Sequence, residues 1–230
     1  MLSSYQPDMR SALLTTLQSP SSPEVLERRL AELAVRARST TEQSALVRER
    51  VHEVLPALLR QLPLESEPTW RMKAQAARLL ANLAYQPNHK GTIVESDGLS
   101  ALEDAVRDAL PQSSCNTISV AAATFLLEAA AAIGNLASGA DARRSVAQGS
   151  SRIVSCLARM LSVEMPEAPG RAVSVASEAA RALSNLSLCA TTHQNLLESG
   201  APQSSLPLLE MAVLAQAEPR AVLHGWCDRC

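Results

Sequence analysis

Aromatic side chains are almost missing from this chain: among 230 residues there are one Phe, two Tyr and two Trp, 2% in all. With a hydrophobic share of 47%, the core must be filled by Leu, Ala, Val and Ile. That filling suits close-packed helices and speaks against a β-sandwich, whose strands favour β-branched and aromatic residues. Glycine is scarce as well, eight residues in all, and no Gly-rich phosphate loop, nucleophile elbow or HExxH pair occurs. Neither charge is in excess, since 21 Lys and Arg stand against 23 Asp and Glu, for a formal charge of −2. No global field points to nucleic acid or to an anionic membrane, so an electrostatic partner would have to read a local patch. The first residues, Met1-Leu2-Ser3-Ser4-Tyr5-Gln6-Pro7-Asp8, have neither the basic start nor the apolar segment of a secretory signal. The longest apolar run, Val120 to Ile133, contains Glu128 and reads as too short to span a bilayer. A soluble cytoplasmic or nuclear protein without membrane insertion is expected.

The five cysteines, Cys115, Cys156, Cys189, Cys227 and Cys230, are odd in number and follow no framework spacing, which predicts reduced thiols. Cys227 and Cys230 form a Cys-x-x-Cys pair after Trp226. Redox chemistry there needs a preceding strand and a following helix that lowers the thiol pKa, and neither is read from the sequence. A closed zinc site needs four ligands, and His224, Cys227 and Cys230 supply three. His52, His89 and His193 are scattered, with no carboxylate or Cys at ligand spacing, and read as surface or packed imidazoles. The expectation is no catalytic residue, no metal and no cofactor: the chain is not read as an enzyme. Asn185-Leu186-Ser187 matches the glycosylation triplet but falls inside the repeated core and is discounted.

What the sequence does have is a repeat. Arg78-Leu79-Leu80-Ala81-Asn82-Leu83-Ala84 is echoed by Ala131-Ala132-Ile133-Gly134-Asn135-Leu136-Ala137 and Arg181-Ala182-Leu183-Ser184-Asn185-Leu186-Ser187. A weaker copy, Arg28-Arg29-Leu30-Ala31-Glu32-Leu33-Ala34, places Glu32 at the Asn position. Read from the markers at 32, 82, 135 and 185, the copies lie 50, 53 and 50 residues apart, the range of a repeat array.

Helical periodicity fills in each unit. A leading helix over 7–17 carries Met9, Leu13, Leu14 and Leu17 on one face. Ser22 as N-cap and Pro23 at the first helical position open a second, to about Arg38. A cycle of three helices follows. The first runs 41–52, 53–62 and, after a Pro-bracketed break at 63–68, 69–85. The second begins at Asn88 and reaches Asp97, with Gly98 expected in the left-handed conformation that stops it. It continues as 99–110, a break at 111–114, and a helix from 116 or 117 to Ala137. The third runs 141–148, Gly149, 153–163, a break at 164–170 and 172–188; a fourth begins with 192–199, Gly200 and a helix near 204–215. The resulting organisation is N-terminal helices at 1–38, repeats at 40–86, 87–138 and 139–188, an incomplete unit at 189–217 and a tail at 218–230.

With these motifs in register over about 20–217, the units resemble armadillo repeats. The strongest matches are the third-helix ending Ala77 to Ala84, the restart Asn88 to Gly98, and Thr192 to Pro202 followed by Leu206-Pro207-Leu208-Leu209. The units exceed the family's usual period of roughly 42 residues, an excess assigned to the Pro-containing loops before each third helix. The resemblance implies an all-α, right-handed armadillo-type α-solenoid of three-helix repeats whose third helices line a concave face. In the family the motif Asn holds a partner's main chain, a role that would fall on Asn82, Asn135 and Asn185, since an amide both donates and accepts. The import adaptors of the family carry a Trp one turn earlier, where this chain has Arg78, Ala131 and Arg181, so a basic localisation peptide is not the expected ligand.

The same helical face carries Gln75 and Tyr85, Glu128 and Ser138, Glu178 and Leu188. Arg28, Arg78 and Arg181 would form a broken basic row facing an acidic partner. The competing expectation is that Arg181 pairs with Glu178, Arg78 is merely solvated, and the Asn amides bond neighbouring repeats. The resemblance implies a non-enzymatic protein–protein adaptor whose partner is an extended peptide or a small GTPase, as in the armadillo-type dissociation stimulators. The alternative is a structural assembly subunit, cytoskeletal or ciliary, that uses the ends and edges of the array. An uncapped C-terminal helix bearing Leu206, Leu209, Val213 and Leu214 predicts self-association or a longer parent chain.

Overall fold

The structure is a computed structural model and describes residues 23–62, 66–111, 118–148 and 152–189. The leading helix expected at 7–17, the centres of the first two breaks, Cys115, Gly149, the fourth unit with its apolar helix, and the tail with Cys227 and Cys230 lie outside the described residues. The described elements are α1 (Pro23–Arg36), α2 (Thr40–Arg48), α3 (Val51–Gln61), α4 (Glu67–Leu83), α5 (Pro87–Glu95), α6 (Gly98–Ala109), α7 (Val120–Ala137), α8 (Ala140–Gln148), α9 (Arg152–Met160) and α10 (Pro169–Ser187). All are helices, so the protein is all-α over these residues.

Local chemistry explains the helix starts, and several fall earlier than the periodicity suggested. Ser66 caps α4, its Oγ accepting from Thr69 N at 3.3 Å, and Ser119 caps α7 by accepting from Ala122 N at 3.2 Å. Pro68, Pro87 and Pro169 sit in the first turns of α4, α5 and α10, where a missing N–H costs nothing. These prolines open helices instead of belonging only to breaks.

The turn between the first and second helices of a unit differs from expectation in its residue. Asp97, with φ 66°, takes the left-handed conformation assigned above to Gly98, and Arg50, with φ 59°, does the same before α3. Gly98 is instead the first residue of α6. It is small for another reason: a Cβ there would lie 2.7 Å from Ile93 Cγ2 and 2.8 Å from the Ile93 carbonyl oxygen.

Three rows of helices result. The long helices pack side by side in the order α1, α4, α7, α10; α3, α6 and α9 form a second row; and α5 packs on α8, with α2 against α3 and α4. Leu79, Leu80, Leu83, Phe125, Ile133, Leu136, Leu183 and Leu186 are fully buried between them. Each such Leu contributes roughly 1.5–3 kcal/mol of apolar burial. Trp70 of α4 meets Phe125 of α7 with ring centroids 5.6 Å apart, which uses two of the five aromatic rings at one seam. Fully buried Ala129, Ala130 and Ala132 give α7 a thin waist on which α4 and α10 close from either side.

The helix that carries the apolar run from Val120 to Ile133 continues through Gly134 and Asn135 to Ala137. At 18 residues α7 is long and apolar enough to cross a membrane by length and composition. In this fold 61% of it is buried among its neighbours, and Glu128 is in an ion pair. The second row is tied by charge: Arg60 of α3 reaches Asp97 at 2.6 Å and Asp104 at 3.2 Å, and Arg152 of α9 reaches Glu103 at 3.2 Å.

Candidate protein-binding face

On α4 and the turn that follows it, Arg71, Gln75, Arg78, Asn82 and Tyr85 recur every three or four residues and form one stripe, half-buried or exposed, while Leu79, Leu80 and Leu83 are buried in the core. On α7 the corresponding stripe carries Thr124, Glu128, Ala131, Asn135 and Ser138, and on α10 it carries Glu178, Arg181, Asn185 and Leu188. Because α4, α7 and α10 are neighbours in one row, the stripes join into one surface. The sequence-predicted residues Asn82, Asn135, Asn185, Arg78, Arg181, Gln75, Tyr85, Glu128 and Glu178 therefore share one side of the molecule.

The three asparagines make the same contact. Asn82 Nδ2 donates to the Ala34 carbonyl at 2.7 Å, Asn135 Nδ2 to Ala81 at 2.9 Å and Asn185 Nδ2 to Gly134 at 2.8 Å. Each amide thus stitches its helix to the preceding long helix, and a net stabilisation of about 1 kcal/mol apiece is the usual scale. A primary amide has a second N–H, so this bond occupies only part of its capacity.

These bonds also correct the register of the first copy. Ala34 supplies the carbonyl that Ala81 and Gly134 supply later, so the residue in the Asn place on α1 is Val35, and Glu32 lies one turn earlier. Val35 is exposed, at 58%, and offers no polar group there.

Nor is the basic row free. Arg78 Nε donates to Glu128 Oε1 at 2.9 Å, across the α4–α7 seam, with Glu128 16% exposed. Arg78 is therefore paired, not merely solvated. Arg181 Nε donates to Glu178 at 2.8 Å as the competing expectation had it, and the rest of its guanidinium reaches back to α7, donating to Asn135 Oδ1 and to the Ala131 carbonyl, each at 3.3 Å. It lies flat over Gly134, where an added Cβ would stand 3.0 Å from Cζ. This explains Gly in a place held by Ala81 and Ser184 in the other copies. Arg71 reaches Glu27 of α1 at 3.3 Å, and Arg171 donates to Thr124 at 2.7 Å.

The face is thus laced across every seam, and two large hydrophobic side chains stand open on it: Tyr85 is 70% exposed and Leu188 68%. Gln75 is half-buried, with its amide oxygen buried and unpartnered. Arg28 of α1 is exposed.

Sequence reasoning passed over a second set of polar residues, on the short helices. Gln43 Nε2 donates to the Ala37 carbonyl at 2.8 Å, His89 Nδ1 to the Leu83 carbonyl at 3.2 Å, and Arg143 Nη1 to the Ala137 carbonyl at 2.9 Å. In each case the acceptor lies six residues back, at the end of the preceding long helix. The signal available was that fixed spacing. Lys73 was likewise not singled out; it is almost fully buried, with Nζ 5.5 Å from the Trp70 ring centroid, and burial pushes its pKa down, Asp108 partly opposing.

Among the described residues no three His, Cys, Asp or Glu side chains converge as metal ligands. Burial, with Glu103 adding to it, pushes the Cys156 thiol up to about 11, away from thiolate chemistry at neutral pH. His193 and His224 lie outside the described residues.

No family model and no curated protein sequence matches the chain. In structure it is similar to an engineered protein solved by a structural genomics consortium, with a TM-score of 0.65 and 23% identity, over 90% of this chain and 78% of that one. At that identity the likeness speaks to the helical fold alone.

Proposed function

We propose that the chain is an armadillo-type right-handed α-solenoid acting as a non-enzymatic adaptor, and that a partner protein lies across the face of α4, α7 and α10. The observation that carries this reading is the row of Asn82, Asn135 and Asn185. The three stand at one register on adjacent helices, each half-buried and each with one amide N–H spent on the neighbouring helix. The three amides lie on the side on which Tyr85 and Leu188 are exposed, so a peptide main chain laid along this row would be flanked by apolar contacts. A small GTPase of the kind served by armadillo-type dissociation stimulators is one partner of suitable size. An assembly role through ends and edges is the alternative, and it predicts indifference to this face.

Replacing the asparagines would both weaken binding and loosen the helix stack, so they are poor first probes. Tyr85→Ala and Leu188→Ala remove side chains that are mostly in solvent, and the melting temperature should stay within about 2 °C of wild type. The double variant is expected to lose the proteins that co-purify with wild type, at least about tenfold in calorimetric affinity. Unchanged capture and affinity would move the function to the ends and edges.

A further inference from the structure

We propose that Lys90 and Arg143, with Ser138 holding the Lys90 ammonium in place, form an anchor for a side-chain carboxylate in an acidic segment of the partner protein. Three bonds run from short helices to the ends of long ones. Gln43 and His89 make theirs with a neutral amide and an imidazole, so the bond itself needs no cation. At the third joint a guanidinium takes the position: Arg143 Nη1 reaches the Ala137 carbonyl at 2.9 Å and that of Ser138 at 3.0 Å. A second cation is brought beside it, because Lys90 Nζ donates to Ser138 Oγ and the Lys90 stem crosses Gly139, where an added Cβ would stand 3.0 Å from Cδ.

Among the described residues neither cation makes an ion pair with a carboxylate. Burial and the charge of Arg143 together push the Lys90 pKa down, as expected for an ammonium held next to another cation. The C-terminus of α7 offers about half a negative charge, too little to neutralise two positive ones. Ser138 is exposed and the two cations are half-buried, so an incoming carboxylate reaches them without opening the fold. Two cationic donors suit an acceptor-only group. The anchor adjoins the Asn row, since Ser138 Oγ donates to the Asn135 carbonyl at 2.8 Å. It rests on the adaptor reading for the partner being a protein, while its carboxylate chemistry can be tested separately.

The test is titration of a fluorescent peptide carrying a run of Glu, with a matched Gln peptide as control, against wild type, Arg143→Gln, Lys90→Met and the Tyr85→Ala/Leu188→Ala variant. Arg143→Gln keeps a donor at the joint, as Gln43 does, so it should fold with an unchanged melting temperature. Wild type is expected to bind the Glu peptide and not the Gln peptide, more weakly as salt rises. Each cation variant should lose about tenfold, the scale of one charge-assisted hydrogen bond, and the Tyr85/Leu188 variant should keep full affinity. Equal affinity in the cation variants, equal binding of the Gln peptide, or no binding by wild type would overturn the anchor. The adaptor reading is judged separately, by capture of the partner with the Tyr85/Leu188 variant.

Discussion

Gly134 and Arg181 form a contact between two residues that are close only because α7 and α10 are adjacent. A methyl at 134 would press on the guanidinium at 3.0 Å, and Arg181 would give up its bonds to Asn135 and the Ala131 carbonyl. Gly134→Ala is expected to cost about 1 kcal/mol in denaturant unfolding, with the cost largely absent in an Arg181→Ala background; an equal cost in both would deny the contact. His52 provides a residue-scale prediction in pH. Burial is the main cause that pushes its pKa below 6.5, with Arg50 and His89 adding and Glu53 opposing. Between that lowered value and 6.5 the unfolded chain binds more protons, so stability rises with pH through this window and falls on acidification. The melting temperature should drop between about pH 7 and pH 5, and His52→Leu should flatten the drop; an unaltered profile would remove His52 as the cause. At this scale the sequence showed which residues share a face and not what they bond. The partners of Asn82, Asn135 and Arg78 lie 48, 54 and 50 residues away. Separations close to one repeat are the trace such pairs leave, but a single sequence does not say which of several residues at that distance is the acceptor.

Among the elements, helix ends were less legible than helix bodies. Periodicity located the bodies of the long helices because their Leu and Ala positions recur at three and four. The ends depend on small local choices: Ser66 accepting from Thr69, prolines in first turns, and Asp97 rather than Gly98 bending the chain. Gly98 makes the point in energy terms, since its size serves a close approach to Ile93 and not a positive φ. Gly98→Ala should destabilise by about 1–3 kcal/mol, and Ile93→Val should not restore it, because the Ile93 carbonyl oxygen at 2.8 Å remains in the way. Full rescue by Ile93→Val would show that only the side chain matters. The end of α7 at Ala137 was read as observed, while its start was placed at 116 or 117, ahead of Val120, where the Ser119 cap opens the helix.

For the molecule as a whole, the echo of one heptad foretold the all-helical fold, and the row of long helices gives that echo its physical meaning. Each copy packs on the copies before and after it, so its buried leucines and its asparagine serve the same seam. The register of the first copy was misread by one turn because α1 has no Asn, and Glu32 looked more like one than Val35 does. What the row does for the cell rests on whether its exposed side is where a partner sits. The most direct measurement is hydroxyl-radical footprinting of the protein with and without a co-purified partner. The adaptor account predicts a fall of about threefold or more in oxidation at Tyr85 and Leu188, now 70% and 68% exposed, with peptides from α6 and α9 unchanged. Protection of α6 and α9 with Tyr85 and Leu188 still fully reactive would contradict it.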